Sequence, residues 1–195
     1  MIPIDLARLN QLYDGISRRS LRMETRQTYA VPWEDEDMAA WRNGEPEPPH
    51  GESYREHLES VRQRVASGRR PQRVRFVELP MTEYTAQEFA WGYPNNTAAG
   101  EEINVIDRAE HPEFDSYVED FVVFDDAGVM YYRYADDDRL LGYEFSDDPA
   151  VVAEHVRLAE AAWAASIPFA EWERRHGRPV QPAPPSQAGD ARQLS

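Results

Sequence analysis

The sequence contains no cysteine and no lysine, and both absences exclude chemistry. Without cysteine the chain has no disulfide, no thiolate nucleophile and no zinc site built on thiolates. All 21 basic residues are arginine, so Schiff-base catalysis by lysine and a phosphate-binding loop that ends in lysine are also excluded. A base composition that favours arginine codons explains the missing lysine without reference to function.

Long apolar runs are absent as well. No stretch approaches the roughly 18 apolar residues that span a bilayer, and residues 1–15 have neither the basic segment nor the apolar core of a signal peptide. We therefore expect a cytoplasmic protein that does not bind membranes. With 195 residues, 41% of them apolar, the chain is long enough for one core of ordinary size.

Acidic charge is concentrated in one part of the chain. Residues 79–149 hold 18 Asp and Glu against three arginines, whereas acidic and basic residues balance on both sides of this segment. The segment therefore accounts for the whole formal net charge of −15. Charge of one sign repels nucleic acid and anionic membranes and favours a cationic partner or ions. A soluble acidic surface without a partner is the simpler alternative.

Apolar periodicity predicts helices on both sides of a set of strands. Helical spacing marks residues 4–16, 33–43 and 52–67, and residues 20–29 suit an extended segment. Thr82 is a predicted N-cap of a helix that reaches Trp91. Strands are predicted at 73–79, 103–106, 120–124, 129–134 and 140–145.

The last three strands form a predicted meander, because the sequences DDAG and ADDD between them favour tight turns. Asp148 and Pro149 then open a further helix. The predicted fold is one α/β (α+β) domain over residues 1–176, in which N-terminal helices precede β-α-β-β-β-β-α and helices cover a mostly antiparallel sheet. Residues 177–195, rich in Pro, Ser and Gln, are predicted to form a disordered tail.

Three segments carry a family resemblance, and they read LRMETRQTYAVPWEDEDMAAWRNGEPEP, ELPMTEYTAQEFAWGYPNNTAAGEEINVID and FVVFDDAGVMYYRYADDDRLLG. Over about residues 15–172 the chain resembles a family of uncharacterised proteins of high-GC Gram-positive bacteria, known only as a domain of unknown function. The resemblance implies a cytoplasmic protein without an assigned activity, often encoded near helix-turn-helix regulators. It supplies no catalytic residues.

A second resemblance is carried by DFVVFDDAGVMYY and GYEFSDDPAVVAEHVRLAEAAWAASIPF. These segments are similar to the last part of phospholipase-D-like domains, whose phosphodiesterases depend on a His-x-Lys motif. None of the five histidines precedes a lysine at the required spacing. The resemblance therefore implies a degenerate domain that has lost the hydrolase chemistry and acts as a sensor or a scaffold.

Motifs for catalysis and for metal binding are missing. The chain has no G-x-S-x-G, no G-x-G-x-x-G and no G-x-x-x-x-G-K-[ST] sequence. His111 and the carboxylates near it are too few for a metal site, and the aspartate-rich turns lack the ligand spacing of an EF-hand. We predict no catalytic residue, no metal and no cofactor, while a carboxylate pair assembled only by the fold stays open.

A candidate pocket centres on the segment EFAWGYPNNTAAGEEINVIDR, residues 88–108, where a predicted loop connects a helix to a strand. Aromatic rings, amides and carboxylates in such a loop are typical of a ligand rim. The predicted pocket residues are Arg22, Glu24, Tyr29, Glu88, Trp91, Tyr93, Asn95 and Asn96. The alternative is a loop that closes the core through its aromatic residues.

Two functions from different classes are consistent with these patterns. In the first, a non-enzymatic regulatory or interaction protein binds a basic protein through its acidic segment, and the family resemblance suggests a helix-turn-helix transcription regulator as that partner. The predicted partner-binding residues are Asp125, Asp126, Asp136, Asp137 and Asp138. In the second, a small-molecule binding protein or accessory enzyme uses the pocket around Glu88–Asn96.

Direct binding of nucleic acid is disfavoured, because the acidic segment opposes the arginine cluster at residues 69–75. We interpret Arg69, Arg70, Arg73 and Arg75 as a solvated helix end and strand start. The apolar strands within 120–145 also offer an edge for a homodimer.

Overall fold

One eight-stranded sheet organises residues 1–183, the part of the chain that the computed structural model describes. The strands are β1 (Ile2–Ile4), β2 (Arg19–Glu24), β3 (Arg70–Val77), β4 (Glu102–Asp107), β5 (Phe121–Phe124), β6 (Gly128–Tyr134), β7 (Leu140–Ser146) and β8 (Ile167–Pro168). Their order across the sheet is β1-β7-β6-β5-β2-β3-β4-β8. The β2–β3 and β3–β4 pairs are parallel and the other neighbouring pairs are antiparallel. The predicted class, a mostly antiparallel sheet with helices, is confirmed.

Helices cover both faces of the sheet. They are α1 (Leu6–Asp14), α2 (Asp35–Arg42), α3 (Glu52–Ala66), α4 (Glu83–Gln87), α5 (Tyr93–Ala98), α6 (Pro149–Ala165) and α7 (Phe169–His176). A π-helical turn, Glu88–Gly92, joins α4 to α5, so residues 83–98 form one irregular helical run.

Side chains along the central strands point alternately to the two faces of the sheet, and the two faces are covered by different helices. Leu21 and Met23 of β2 point to the side where α6 packs, and they share a core cluster with Val152 and Ala162 of that helix. The residues between them, Arg22 and Glu24, therefore point to the opposite side. We call the α6 side the apolar face and the other side the charged face.

The charged face is covered by several helices rather than one. Leu9 of α1 packs over Val122 and Met130, which belong to β5 and β6. Further along the sheet, Phe89 and Tyr93 of the irregular run pack over β3 and β4, together with residues of α7. Between these two apolar clusters lies the part of β2 and β3 that carries charged side chains.

A loop was predicted between the helix that reaches Trp91 and the strand at 103–106, and this prediction is wrong for Tyr93–Ala98. This segment continues the run from the π-helical turn, so Pro94, which has no N–H to donate, lies inside the run directly after that turn. Strands β1 and β8 were not predicted either. They have three and two residues, which is too short for a period-two pattern to be visible.

The predicted meander is confirmed, since β5 pairs with β6 and β6 pairs with β7. No helix within the described residues is both long and apolar enough to cross a membrane. Of the predicted tail, residues 177–183 form neither helix nor strand, and the rest lies outside the described residues. The single domain over 1–176 stays a prediction.

The cap of α6 provides a first prediction. The Asp148 carboxylate accepts hydrogen bonds from the backbone N–H groups of Ala150 (2.9 Å) and Val151 (3.2 Å). Asp148→Ala should therefore lower the free energy of unfolding by about 1 kcal/mol in urea denaturation. Asp147→Ala, at the exposed neighbouring position, is the matched control and should change it much less. Equal losses in the two variants would contradict the assigned cap.

Candidate functional site

An ionic cluster lies on the charged face beneath the irregular helical run. Its members are Arg22, Glu24, Arg73, Arg75, Glu88 and Glu101. The parallel register pairs residue 22 with 73 and residue 24 with 75, so arginines and a glutamate of adjacent strands lie side by side on one face. The cluster is therefore a direct consequence of how β2 and β3 pair.

Glu24 is the centre of the ionic cluster. Its carboxylate lies 2.8 Å from Nη2 of Arg22 and 2.9 Å from Nη1 of Arg73, and it accepts a hydrogen bond of 2.8 Å from the hydroxyl of Tyr93. Arg73 also donates to both oxygens of Glu101, at 2.9 and 3.0 Å. Arg75 lies 3.9 Å from Glu24 and also pairs with Glu88, the remaining acid of the cluster.

The two acids near Arg75 have opposite electrostatic environments. Burial alone would raise the pKa of Glu24, but the charges of Arg22, then Arg73 and Arg75, lower its pKa to about 2. Burial raises the pKa of Glu88 to about 8, because the attraction of Arg75 only partly offsets it and the charge of Glu24 adds to it. Glu24 is thus ionised at neutral pH, whereas Glu88 has a pKa of about 8 and is mostly protonated there.

Three polar atoms of the ionic cluster are buried without a hydrogen-bond partner among residues 1–183. They are Nε of Arg22, Nε of Arg75 and Oε2 of Glu88. Glu88 also begins the π-helical turn, and such turns are frequent at functional sites because they insert one extra residue into a helix. The Arg22 side chain, 25% exposed, connects this region to solvent.

Five of the eight predicted pocket residues belong to this region and three do not. Arg22, Glu24 and Glu88 are cluster members, while the Tyr93 and Tyr29 hydroxyls lie 2.8 Å from Glu24 and 3.4 Å from Arg75, respectively. The other three lie elsewhere: Trp91 packs edge-on against Trp41, the Asn95 amide donates to Glu47 at 2.8 Å, and Asn96 is buried in α5.

Arg73 and Arg75 were predicted to be solvated, and that prediction is wrong. They are 5% and 0% exposed, respectively. Their alternation with Val74 and Phe76 indicates a strand, but only the parallel pairing of β3 with both neighbours shows that its two faces are covered.

Asp120 fastens the segment that follows β2. Its carboxylate is 1% exposed and accepts hydrogen bonds from the backbone N–H (2.7 Å) and the hydroxyl (2.8 Å) of Thr25, and from the hydroxyl of Tyr29 (2.5 Å). The chain from Thr25 to Tyr29 is thereby held against the carboxyl end of β2.

A cleft of about 490 Å³ opens at the carboxyl ends of the parallel strands. Such ends are a common place for binding sites in mixed sheets. We call it the strand-end cleft; its lining residues are Thr25, Arg26, Gln27, Glu78, Arg108, Asp115, Val118 and Asp138. Loops after β2, β3, β4 and β6 contribute these residues.

Most of the solvent-exposed charged groups at the strand-end cleft are carboxylates. Glu78 has a side chain 61% exposed, Asp115 is exposed, and Asp138 lies next to the exposed pair Asp136 and Asp137. Two exposed apolar side chains of the same loops, Leu79 and Val118, are 50% and 66% exposed. The result is a polar, acidic cleft with apolar contacts at its edge.

The two arginines of the strand-end cleft, Arg26 and Arg108, bind other groups of the chain itself. Arg26 pairs with Asp138. Arg108 donates to the backbone carbonyls of Phe114 (3.1 Å) and Tyr117 (2.8 Å), which holds the loop after β4 in place. Burial lowers the pKa of Arg108, with Glu78 opposing this shift. These guanidinium groups therefore shape the cleft and pair with two of its carboxylates, Asp138 and Glu78. Asp115 is the lining carboxylate that has no ion pair among residues 1–183, while Glu78 keeps much of its side chain exposed.

The five aspartates predicted to bind a partner do not share one surface. Asp125 and Asp126 lie in the β5–β6 turn, and Asp136, Asp137 and Asp138 lie in the β6–β7 turn at the opposite end of the strands.

Asp125 and Asp126 bind other groups of the chain itself. Asp125 accepts hydrogen bonds of 2.8 Å from the backbone N–H groups of Arg18 and Arg19, and Asp126 pairs with the guanidinium groups of the same arginines at 3.1 and 2.7 Å. They hold the connection between α1 and β2.

This arrangement defines an α/β protein with a buried ionic cluster and an acidic cleft at its strand ends. The chain belongs to the family described as domain of unknown function DUF6879, whose model matches residues 7–174. The first resemblance seen in the sequence is thereby confirmed at the level of the family. No curated protein shows a significant match to the chain. The similarity to phospholipase-D-like domains stays a prediction.

Glu88 provides a prediction on pH. Because its folded-state pKa of about 8 lies above the ordinary value of 4.5, ionisation of Glu88 should lower the free energy of unfolding as the pH rises between these values. Glu88→Gln cannot ionise, so between pH 5 and pH 8 it should lose less stability than the unsubstituted chain, by at least ~1 kcal/mol.

Urea denaturation at both pH values measures this difference. Glu83→Gln, an exposed position of α4, is the control and should keep the pH dependence of the unsubstituted chain. If Glu88→Gln keeps it too, the assignment of a raised pKa to Glu88 is wrong.

Proposed function

We propose that this protein is a non-enzymatic interaction protein that binds a basic segment of another protein in the strand-end cleft. The observation that supports this most is the convergence of Glu78, Asp115 and Asp138 on one cleft of about 490 Å³, although they come from three different loops. A cleft with several accessible carboxylates attracts arginine and lysine side chains.

The cleft also suits the apolar part of such side chains. Arginine and lysine carry long aliphatic stems that pack on apolar surface while the charged group stays in water. Leu79 and Val118 offer that surface beside the carboxylates. Charge complementarity would mainly raise the association rate and the specificity, and it would weaken with salt.

The partner we propose is a basic DNA-binding regulator, in line with the helix-turn-helix regulators that the family resemblance suggests. Such proteins carry a surplus of arginine and lysine, which contact the phosphate backbone of DNA. A cytoplasmic location and the absence of direct contact with nucleic acid or membrane belong to the same proposal. We leave Asp125 and Asp126 out of the proposed surface, because their turn lies at the opposite end of the strands from the cleft.

Charge reversal at the cleft tests this proposal. The double variant Asp136→Arg/Asp137→Arg should weaken binding of a purified basic regulator, recovered from source-cell lysate at low salt, by about tenfold, because each rim charge adds to the attraction. Isothermal titration calorimetry at low and high salt measures the effect. Both positions are exposed, so the fold should survive.

Asp147→Arg is the matched control, since it reverses an exposed acid at the opposite end of the strands. It should leave the affinity within about twofold, because screening limits the effect of a distant charge. Binding that does not depend on salt, or an equal loss in the control, would argue against the cleft as the binding surface.

The ionic cluster supports a second candidate function, binding of a small polar molecule near Glu88, with or without an accessory catalytic role. The π-helical turn and the three buried atoms that have no hydrogen-bond partner among residues 1–183 favour it. In a thermal-shift screen of polar metabolites, Glu88→Gln should lose stabilisation by any ligand, whereas Asn95→Ala, outside the cluster, should keep it. The reverse pattern would contradict a site at Glu88.

A further inference from the structure

Arg26 places a guanidinium group of the chain itself in the strand-end cleft. This group lines the cleft and pairs with the carboxylate of Asp138. It also lies over the ring of Tyr134, with 5.0 Å between Cζ of Arg26 and the ring centroid. A carboxylate beside an aromatic ring suits a guanidinium, which pairs with the first and stacks on the second. The cleft therefore contains a guanidinium site, and Arg26 fills it.

Asp138 is held in place by contacts that do not involve Arg26. The hydroxyl of Thr28 donates to Oδ2 of Asp138 at 2.6 Å, and the backbone N–H of Ala30 donates to its carbonyl oxygen at 3.1 Å. Burial would raise the pKa of Asp138, but hydrogen bonds from Thr28 and Arg26 lower it. Asp138 is thus a fixed anion at neutral pH, and Arg26 contacts only its Oδ1.

Arg26 is held less firmly than Arg108, the other arginine of the cleft. Arg108 donates to two backbone carbonyls of the loop after β4. Within the described part of the chain, the guanidinium of Arg26 has one hydrogen-bond partner, Asp138, and its Nε has none. The side chains of Arg26 and Asp138 are each 30% exposed, and ion pairs near the surface contribute little to stability. Arg26 can therefore leave its carboxylate at small cost, whereas Arg108 anchors a loop.

We propose that an arginine side chain of the basic partner binds Asp138 by taking the place of Arg26. This inference rests on the proposed function, and it names both the side chain that enters the cleft and the internal group that competes with it. One guanidinium replaces another on Asp138, and Arg26 turns to solvent. Asp115, which has no ion pair among residues 1–183, is open to a second basic residue of the partner.

This exchange lowers the affinity for the partner. Arg26 is part of the chain, so it competes for Asp138 at every protein concentration. The apparent affinity falls with the fraction of molecules in which Asp138 is free. Removal of Arg26 should therefore tighten binding, although it deletes a residue that lines the cleft.

The experiment measures binding of a fluorescein-labelled hexa-arginine peptide to the full chain by fluorescence anisotropy at low salt. Arg26→Gln should bind the peptide about threefold more tightly than the unsubstituted chain, because no ion pair has to be displaced. Asp120 holds Thr25 and Tyr29 on both sides of the substituted position, so the variant should keep the fold, which circular dichroism checks.

Arg139→Gln is the matched control. It removes the same charge next to Asp138, but the Arg139 side chain is 60% exposed and does not line the cleft. Its affinity should stay within about twofold of the unsubstituted chain, because solvent and salt screen an exposed charge. In an Asp138→Asn background, Arg26→Gln should give no gain beyond this control, since the contested carboxylate is gone. Asparagine tolerates the φ of 64° at position 138.

A hexalysine peptide tests the choice of arginine. It should gain less from Arg26→Gln than hexa-arginine does, because an ammonium group cannot stack on the Tyr134 ring as a planar guanidinium does. An unchanged affinity in Arg26→Gln, an equal gain in Arg139→Gln or an equal gain for hexalysine overturns the exchange while the proposed function stands. Hexa-arginine that binds neither the unsubstituted chain nor Arg26→Gln overturns both.

Discussion

The structure depends on the contact between Glu24 and the arginines around it. Burying a carboxylate or a guanidinium is costly unless each charge is paired and hydrogen-bonded. Arg22, Arg73 and Arg75 therefore require Glu24, and Glu24 requires them. Since these residues lie on the central parallel strands, their mutual pairing lets the helices of the charged face cover the sheet without leaving a buried charge unpaired.

The ionic cluster also connects to the strand-end cleft. Tyr29 lies 3.4 Å from Arg75 on one side and donates to Asp120 on the other. Asp120 in turn holds Thr25, which lines the cleft. The shape of the cleft is thus tied to the buried charges through rigid hydrogen bonds, and a pre-organised cleft spends less free energy on ordering its loops when a partner binds.

The distribution of acid over the surface follows from strand direction. Turns at opposite ends of a meander are separated by the length of the strands, so the acids of the β5–β6 turn and of the β6–β7 turn serve different purposes. The first turn anchors Arg18 and Arg19, and the second borders the strand-end cleft. The acidic residues of the two turns, although close in the sequence, therefore have one structural role and one place at the edge of the cleft.

The sequence by itself determined the helices at 52–67 and after Asp148, the β5–β7 meander and the acidic surplus of residues 79–149, because periodicity, capping and turn chemistry are local. Only the tertiary structure decided that β2 pairs in parallel with β3. That pairing buries Arg73 and Arg75 and assembles the cluster around Glu24. Strand pairing and register depend on contacts between residues about 50 positions apart, and no local pattern in one chain encodes them.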